Sequence, residues 1–182
     1  GNGLVNASEQ SGVVTLTGSV EARSSVTVVI NSVSYSATVR GTTWTLDLPE
    51  GVLPEGELTQ SVTIIAVDRY DNSTTISGGF EIDTITSVTI NSTIIGGNGT
   101  VNGAEHGAGT VITGTAQAGA SVVVTVGGVA HTVVASSTGT WTTTYSSSEL
   151  TSGTYSATVT AVATDGAGNT ASARGTFNVD TV

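Results

Sequence analysis

The sequence contains no cysteine, no methionine and no lysine, and only two prolines. Without thiols neither a disulfide framework nor a thiolate metal site is possible, and the redox compartment stays open. All the basic residues are arginines, 4 against 14 acids, for a net charge of -10. That balance speaks against nucleic acid as a partner and against attraction to anionic membranes. The counterions it invites are cations. No apolar run approaches the length of a membrane span, and no charged stretch precedes a hydrophobic one, so neither direct membrane insertion nor a signal segment is expected. Gly1 reads as an arbitrary start, and the chain as a piece of a longer polypeptide. Helix-favouring Leu, Lys and Gln are scarce or missing while Thr, Val and Ile dominate, so the chain is built for strands. With 24 glycines, its turns are mostly glycine turns.

The second observation is a repeat. The string G-N-G-L-V-N-A-S-E at Gly1 to Glu9 returns as G-N-G-T-V-N-G-A-E at Gly97 to Glu105. The same shift matches Gly18 to Gly114 and Val26 to Val122; after one insertion Trp44 meets Trp141, Asp68 meets Asp165, Asn72 meets Asn169, Phe80 meets Phe177 and Asp83-Thr84 meets Asp180-Thr181. Two tandem domains follow, at 1–84 and 85–182, each large enough to close one small all-β core. The first copy has no counterpart to S-V-T-I-N-S-T-I-I at Ser87 to Ile95. If that segment opens the second domain, the first lacks a strand and Val13 to Val20 is an open edge.

Within the second copy, S-V-V-V-T-V, the turn Gly127-Gly128 and V-A-H-T-V-V-A predict a β-hairpin with a primed turn; the first copy does the same around Asn31-Ser32. T-Y-S-A-T-V-T-A-V-A-T puts Tyr155, Ala157, Val159, Ala161 and Ala163 on one face, the period of a half-buried strand. About seven short strands per copy, with turn signals every 8–12 residues, predict two tandem Ig-like β-sandwiches in an elongated arrangement.

The motifs G-T-W-T, G-T-Y-S-A-T-V-T-A, D-G-A-G-N, F-N-V-D-T and I-T-G-T-A-Q-A-G-A-S-V resemble the bacterial Ig-like repeats of large type I-secreted surface adhesins, of the RTX and biofilm-associated kind. The resemblance covers nearly the whole chain. It implies an extracellular place on a bacterial cell surface, neighbouring repeats of the same chain as partners, a role in cell adhesion and biofilm, and Ca²⁺ held between domains. The first copy departs from the pattern with D-R-Y-D-N at Asp68 to Asn72 and with Arg23 in place of Gly119.

Trp44 and Trp141 could form a sugar-stacking platform, but a Trp repeated once per sandwich reads better as a core plug. His131, in place of Tyr35, is expected as a partly exposed strand residue, and His106 as a loop residue after the repeated Glu. No G-x-S-x-G, H-E-x-x-H or Walker string is present, so no enzyme is expected. The N-x-S/T strings at Asn6, Asn72, Asn91 and Asn98 are what chance supplies in a chain this rich in Ser and Thr.

The repeated carboxylates are the candidate metal residues: Glu9 and Glu105, Asp68 and Asp165, Asp83 and Asp180. In a sandwich, Asp83 and the loop with Glu9 should share a pole, and Asp165 should point back at them from the next domain. Hard oxygens from loops suit Ca²⁺, which takes 6–8 of them. The D-G-A-G-N and G-N-G strings are neither EF-hand nor RTX nonapeptide loops. The reading is a monomeric extender of a surface adhesin whose distal ligand lies elsewhere. A glycan- or receptor-binding module, or an accessory domain of an extracellular enzyme, are the alternatives.

Overall fold

The computed structural model describes residues 3–182. The chain divides into two compact units, Gly1–Ile85 and Thr86–Val182. The first opens with β1 (Leu4–Val5) and a single helical turn, α1 (Ala7–Gln10). Then follow β2 (Thr15–Ser19), β3 (Ser25–Ile30), β4 (Val33–Ser36), β5 (Thr38–Arg40), β6 (Thr43–Asp47), β7 (Glu57–Val67) and β8 (Ser73–Asp83). They form a five-stranded sheet in the order β1-β8-β7-β3-β4 and a three-stranded sheet β2-β6-β5. Alternate residues of β3 and β6 turn inward, so Val26, Val28, Ile30, Trp44 and Leu46 are buried between the sheets with Val62 and Ile82.

The second unit repeats the plan with β9 (Thr100–Asn102), α2 (Gly103–Ala108), β10 (Thr110–Thr115), β11 (Ser121–Val126), β12 (Val129–Val134), β13 (Thr140–Tyr145), β14 (Thr154–Thr164) and β15 (Thr170–Asp180). One sheet runs β12-β11-β14-β15-β9, and β10 pairs β13 in the other. Tyr155, Ala157, Val159, Ala161 and Ala163 face the core as their alternation requires, with Tyr155 only half-buried at the end. The β11–β12 turn has Gly127 and Gly128 both at positive φ, the primed geometry that matches strand twist. Asn31 and Ser32 take the same conformation in the first unit, at φ 51° and 65°. Each unit is an Ig-like β-sandwich.

The tryptophans are core plugs, 5% exposed at Trp44 and 3% at Trp141. A glycine on the neighbouring strand makes each possible. A Cβ on Gly18 would lie 2.6 Å from the Trp44 ring and one on Gly114 2.2 Å from the Trp141 ring, so only glycine lets the indole lie flat across the strand. Trp141 Nε1 donates to Thr115 O at 3.1 Å, which satisfies its one polar atom.

The repeated glycine-rich string, expected as a loop, is instead a strand followed by a capped helical turn. β1 runs parallel to the end of β8, with Val5 opposite Ile82, and β9 runs parallel to the end of β15, with Val101 opposite Val179. The valine enters the core and the next residue, Asn, caps the helix. His106 therefore sits on α2, and its Nε2 donates to Leu150 O at 2.6 Å.

The units differ at one edge. Ahead of β9, Thr89 N–H donates to Thr115 O at 2.7 Å and Asn91 N–H to Thr113 O at 2.9 Å, so this segment runs antiparallel along the outer edge of β10. A 3-10 turn, Ser92–Gly97, then drops Ile95 into the core. In the first unit β2 is an edge strand, with no partner on its outer side among the described residues.

Candidate functional site

Glu9, Glu105, Asp68, Asp165 and Asp180 each accept local hydrogen bonds. Asn6 and Glu9 form a reciprocal cap: Glu9 N–H donates to Asn6 Oδ1 at 2.9 Å and Asn6 N–H to Glu9 Oε2 at 3.1 Å. Asn102 and Glu105 repeat it at 3.0 and 2.9 Å. These bonds satisfy amides that a helix start leaves orphaned. Asp68 and Asp165 each close the turn between the last two strands of their unit. Asp165 Oδ1 accepts from Ala167 N–H and Asn169 N–H, and Oδ2 from Asn169 Nδ2, all at 2.9 Å. Asp68 accepts from Tyr70 N–H, Asn72 N–H and Asn72 Nδ2 in the same way. The Asn72 side chain first, with the two amides adding, holds the Asp68 carboxyl below its ordinary range. So D-R-Y-D-N keeps the turn of D-G-A-G-N. Asp71 takes a left-handed φ of 64° where Gly168 has 90°. Asp180 accepts from Thr154 Oγ1 at 2.9 Å.

Strand direction sorts these acids within each unit. The parallel pairing of β1 with β8 puts Glu9 and Asp83 at one end of the first unit, and Asp68 at the other. The second unit has Glu105 with Asp180 at one end and Asp165 at the opposite one. Within either unit, no three acidic or histidine side chains among the described residues gather closely enough to hold a metal ion. As donors, Glu9 is exposed and Asp83 half-exposed, with hard oxygens that suit Ca²⁺. Asp165 is 8% exposed with both oxygens engaged in its turn, so it fits a ligand role least well.

A polar cluster that sequence reasoning missed lies on the second unit alone. His131 stacks on Tyr145 with ring centroids 4.2 Å apart and planes 4° from parallel. Its Nδ1 is 2.8 Å from Thr143 Oγ1 and its Nε2 2.9 Å from Glu149 Oε1. The Ser146 hydroxyl and amide, donating to Glu149 at 2.7 and 2.8 Å, together with His131, pull the Glu149 carboxyl down to about 2. Burial, and then the Glu149 charge, push the Tyr145 phenol up to about 12. Its hydroxyl donates to Val124 O at 2.7 Å. The first unit has Tyr35, Leu48 and Val52 at these places, so repetition could not flag the cluster. Its only sequence signal is that the second copy turns polar where the first is apolar.

Two tandem Ig-like sandwiches with these turns and caps define the class of protein. The model of the bacterial Ig-like domain matches residues 91–181, and the chain belongs to that family. No curated protein sequence matches it. Among solved structures it is similar to one from a 1.5-MDa bacterial ice-binding adhesin, concerned with host cell surface retention, at 28% identity over 98% of this chain and 61% of that one, with a TM-score of 0.59. It is also similar to a Ca²⁺-stabilised adhesin with which an Antarctic bacterium reaches out and binds ice, at 25% identity over 98% of this chain and 46% of that one, TM-score 0.54. The chain thus spans about half to three fifths of the length of these structures. It is a pair of bacterial Ig-like repeats similar in structure to repeats of these adhesins.

Proposed function

We propose that the two units are extender repeats of a bacterial cell-surface adhesin, with a mechanical and spatial role: they add length between the cell and a distal binding module. One observation carries this reading. The elements that recur at matched positions, the Trp plug, the capped turn after the first core valine and the Asp-Asn turn, all hold the sandwich together. Repeats suit a spacer because each unit closes its own core and needs only its neighbours. The reading is non-catalytic, with type I secretion as the route that the family resemblance implies, and the chain acts as a monomer beside its neighbouring repeats.

The same reading includes Ca²⁺ at the joints. Glu9 and Asp83, which share one end of the first unit, would supply hard oxygens to such an ion, and Asp165, engaged in its own turn, would contribute least. Glu105, Asp180 and Asp68 would offer the same donors to neighbouring repeats. The similarity to a Ca²⁺-stabilised adhesin supports this. Bound Ca²⁺ supplies charge neutralisation and a tie between loops. The residues of the chain supply hard oxygens on turns already ordered by their own hydrogen bonds.

A glycan array and a cell-binding assay with this chain test the spacer role, for which no specific binding is expected. Binding at micromolar strength would favour the recognition module instead. Calorimetric titration with Ca²⁺ tests the joint: heat that saturates below millimolar and is lost in Asp83→Ala is expected, and no heat contradicts it.

A further inference from the structure

The outer edge of β2 and the groove beside it form a second feature, which the spacer role does not use. In the second unit this place is filled by the unit's own Ser87–Ile95, whose amides pair with Thr113 and Thr115 and whose Ile95 packs in one cluster with Val101, Ile112 and Phe177. The first unit has Val5, Leu16 and Phe80 in the matching places, lining a groove of about 350 Å³. There Leu16 and Phe80 are half-exposed, whereas Ile112 is 0% exposed and Phe177 3%. Val13, on the rim, is 69% exposed.

A glycine supplies the second observation. Gly175, in the middle of β15, makes room for the filling segment, since a Cβ there would lie 2.7 Å from Ser92 Cβ. Its counterpart Gly78, in the middle of β8, has nothing within 4 Å of the same point. A mid-strand glycine weakens a strand and usually marks a close backbone approach. In the first unit Gly78 keeps that space with no described residue in it. The backbone carbonyls of Thr17 and Ser19, matching Thr113 and Thr115, lie on the open edge of β2.

We propose that the first unit carries a strand-acceptor groove for an extended aliphatic segment of the chemistry of Ser87–Ile95, paired antiparallel to the outer edge of β2 with its isoleucine seated among Val5, Leu16 and Phe80. The occupant is identified by the duplicate, which shows that partner seated in the second unit. Main-chain bonds to Thr17 and Ser19 give pairing, and the isoleucine gives register, as in recognition by strand addition. The net charge of the chain favours a segment without acids, and Ser87–Ile95 has none.

Copying residues 87–96 directly ahead of Gly1 tests this at natural spacing, because Gly1 stands where Gly97 stands. The first unit's thermal transition should rise by about 5 °C or more, and the amides copied from Thr89 and Asn91 should become protected from hydrogen exchange. Ile95→Asp within the copied segment should abolish both effects. Gly78→Val in the same protein should remove the gain by filling the space for the copied Ser92, while leaving the first unit of the original chain as stable as before. An unchanged transition with freely exchanging copied amides overturns the proposal. So does a gain that survives Gly78→Val.

Discussion

Asp165 puts a carboxylate in a buried turn and accepts three N–H bonds there, so its removal leaves buried donors without partners. Such a loss costs about 2–4 kcal/mol, more than the bonds themselves contribute. Asp165→Ala should lower the melting temperature of the second unit and leave the first unchanged; an unaltered second transition would mean that the turn is held by other means. Glu149 gives a pH dependence. Its carboxyl falls from 4.5 to about 2 on folding, so its contribution is complete above 4.5 and is lost as pH falls towards 2. Tyr145 acts at the other limit: its phenol rises from 10.0 to about 12, so the folded state holds its proton longer and stability declines above pH 10. In urea titrations across pH, Glu149→Gln should flatten the acid limb of the second unit, and Tyr145→Phe the alkaline limb. A steep acid limb in Glu149→Gln would assign it to other acids. At this scale the sequence was legible where repetition marked a residue. Trp141 is the buried plug that its recurrence implies, and Trp141→Ala should cost the second unit about 3–5 kcal/mol. Glu149 was not legible, because Val52 stands in its place and its partner His131 lies 18 residues away on β12.

Among the elements, the capped turns after β1 and β9 rest on one side chain each. Asn102→Ala removes the acceptor for Ala104 N–H and Glu105 N–H and should cost the second unit about 1 kcal/mol. Guanidinium titration with Asn6→Ala as the parallel variant checks it; no loss in either would make the cap incidental. The long strands β7, β8, β14 and β15 were legible in outline because eleven residues of alternation leave little choice of face. β1 and β9 were not, since two or three residues are too few to show a period. Their partners lie at the far end of each unit, which local pattern does not reveal. The string looked like a loop because its caps and turns use the same Gly and Asn that loops use.

For the whole molecule, the doubled sequence becomes two sandwiches, each with its own Trp, caps and Asp-Asn turn. That much followed from repetition and strand count. Whether the recurring acids also serve a joint could not be read from either copy alone, because their local duties as caps and turns already account for their recurrence. The two roles are compatible for Glu9, since a carboxylate that accepts one amide retains lone pairs for a cation. The central claim, which rests on the proposed Ca²⁺ role, is that an ion held by Glu9 and Asp83 would stiffen a string of such repeats. Small-angle scattering of this chain at millimolar Ca²⁺, in EDTA, and with Asp83→Ala in Ca²⁺ measures this directly. A larger and narrower distribution of maximum dimensions with Ca²⁺ than in the other two conditions is the result expected. An identical profile in all three would contradict the claim and leave these acids as caps and turn residues alone.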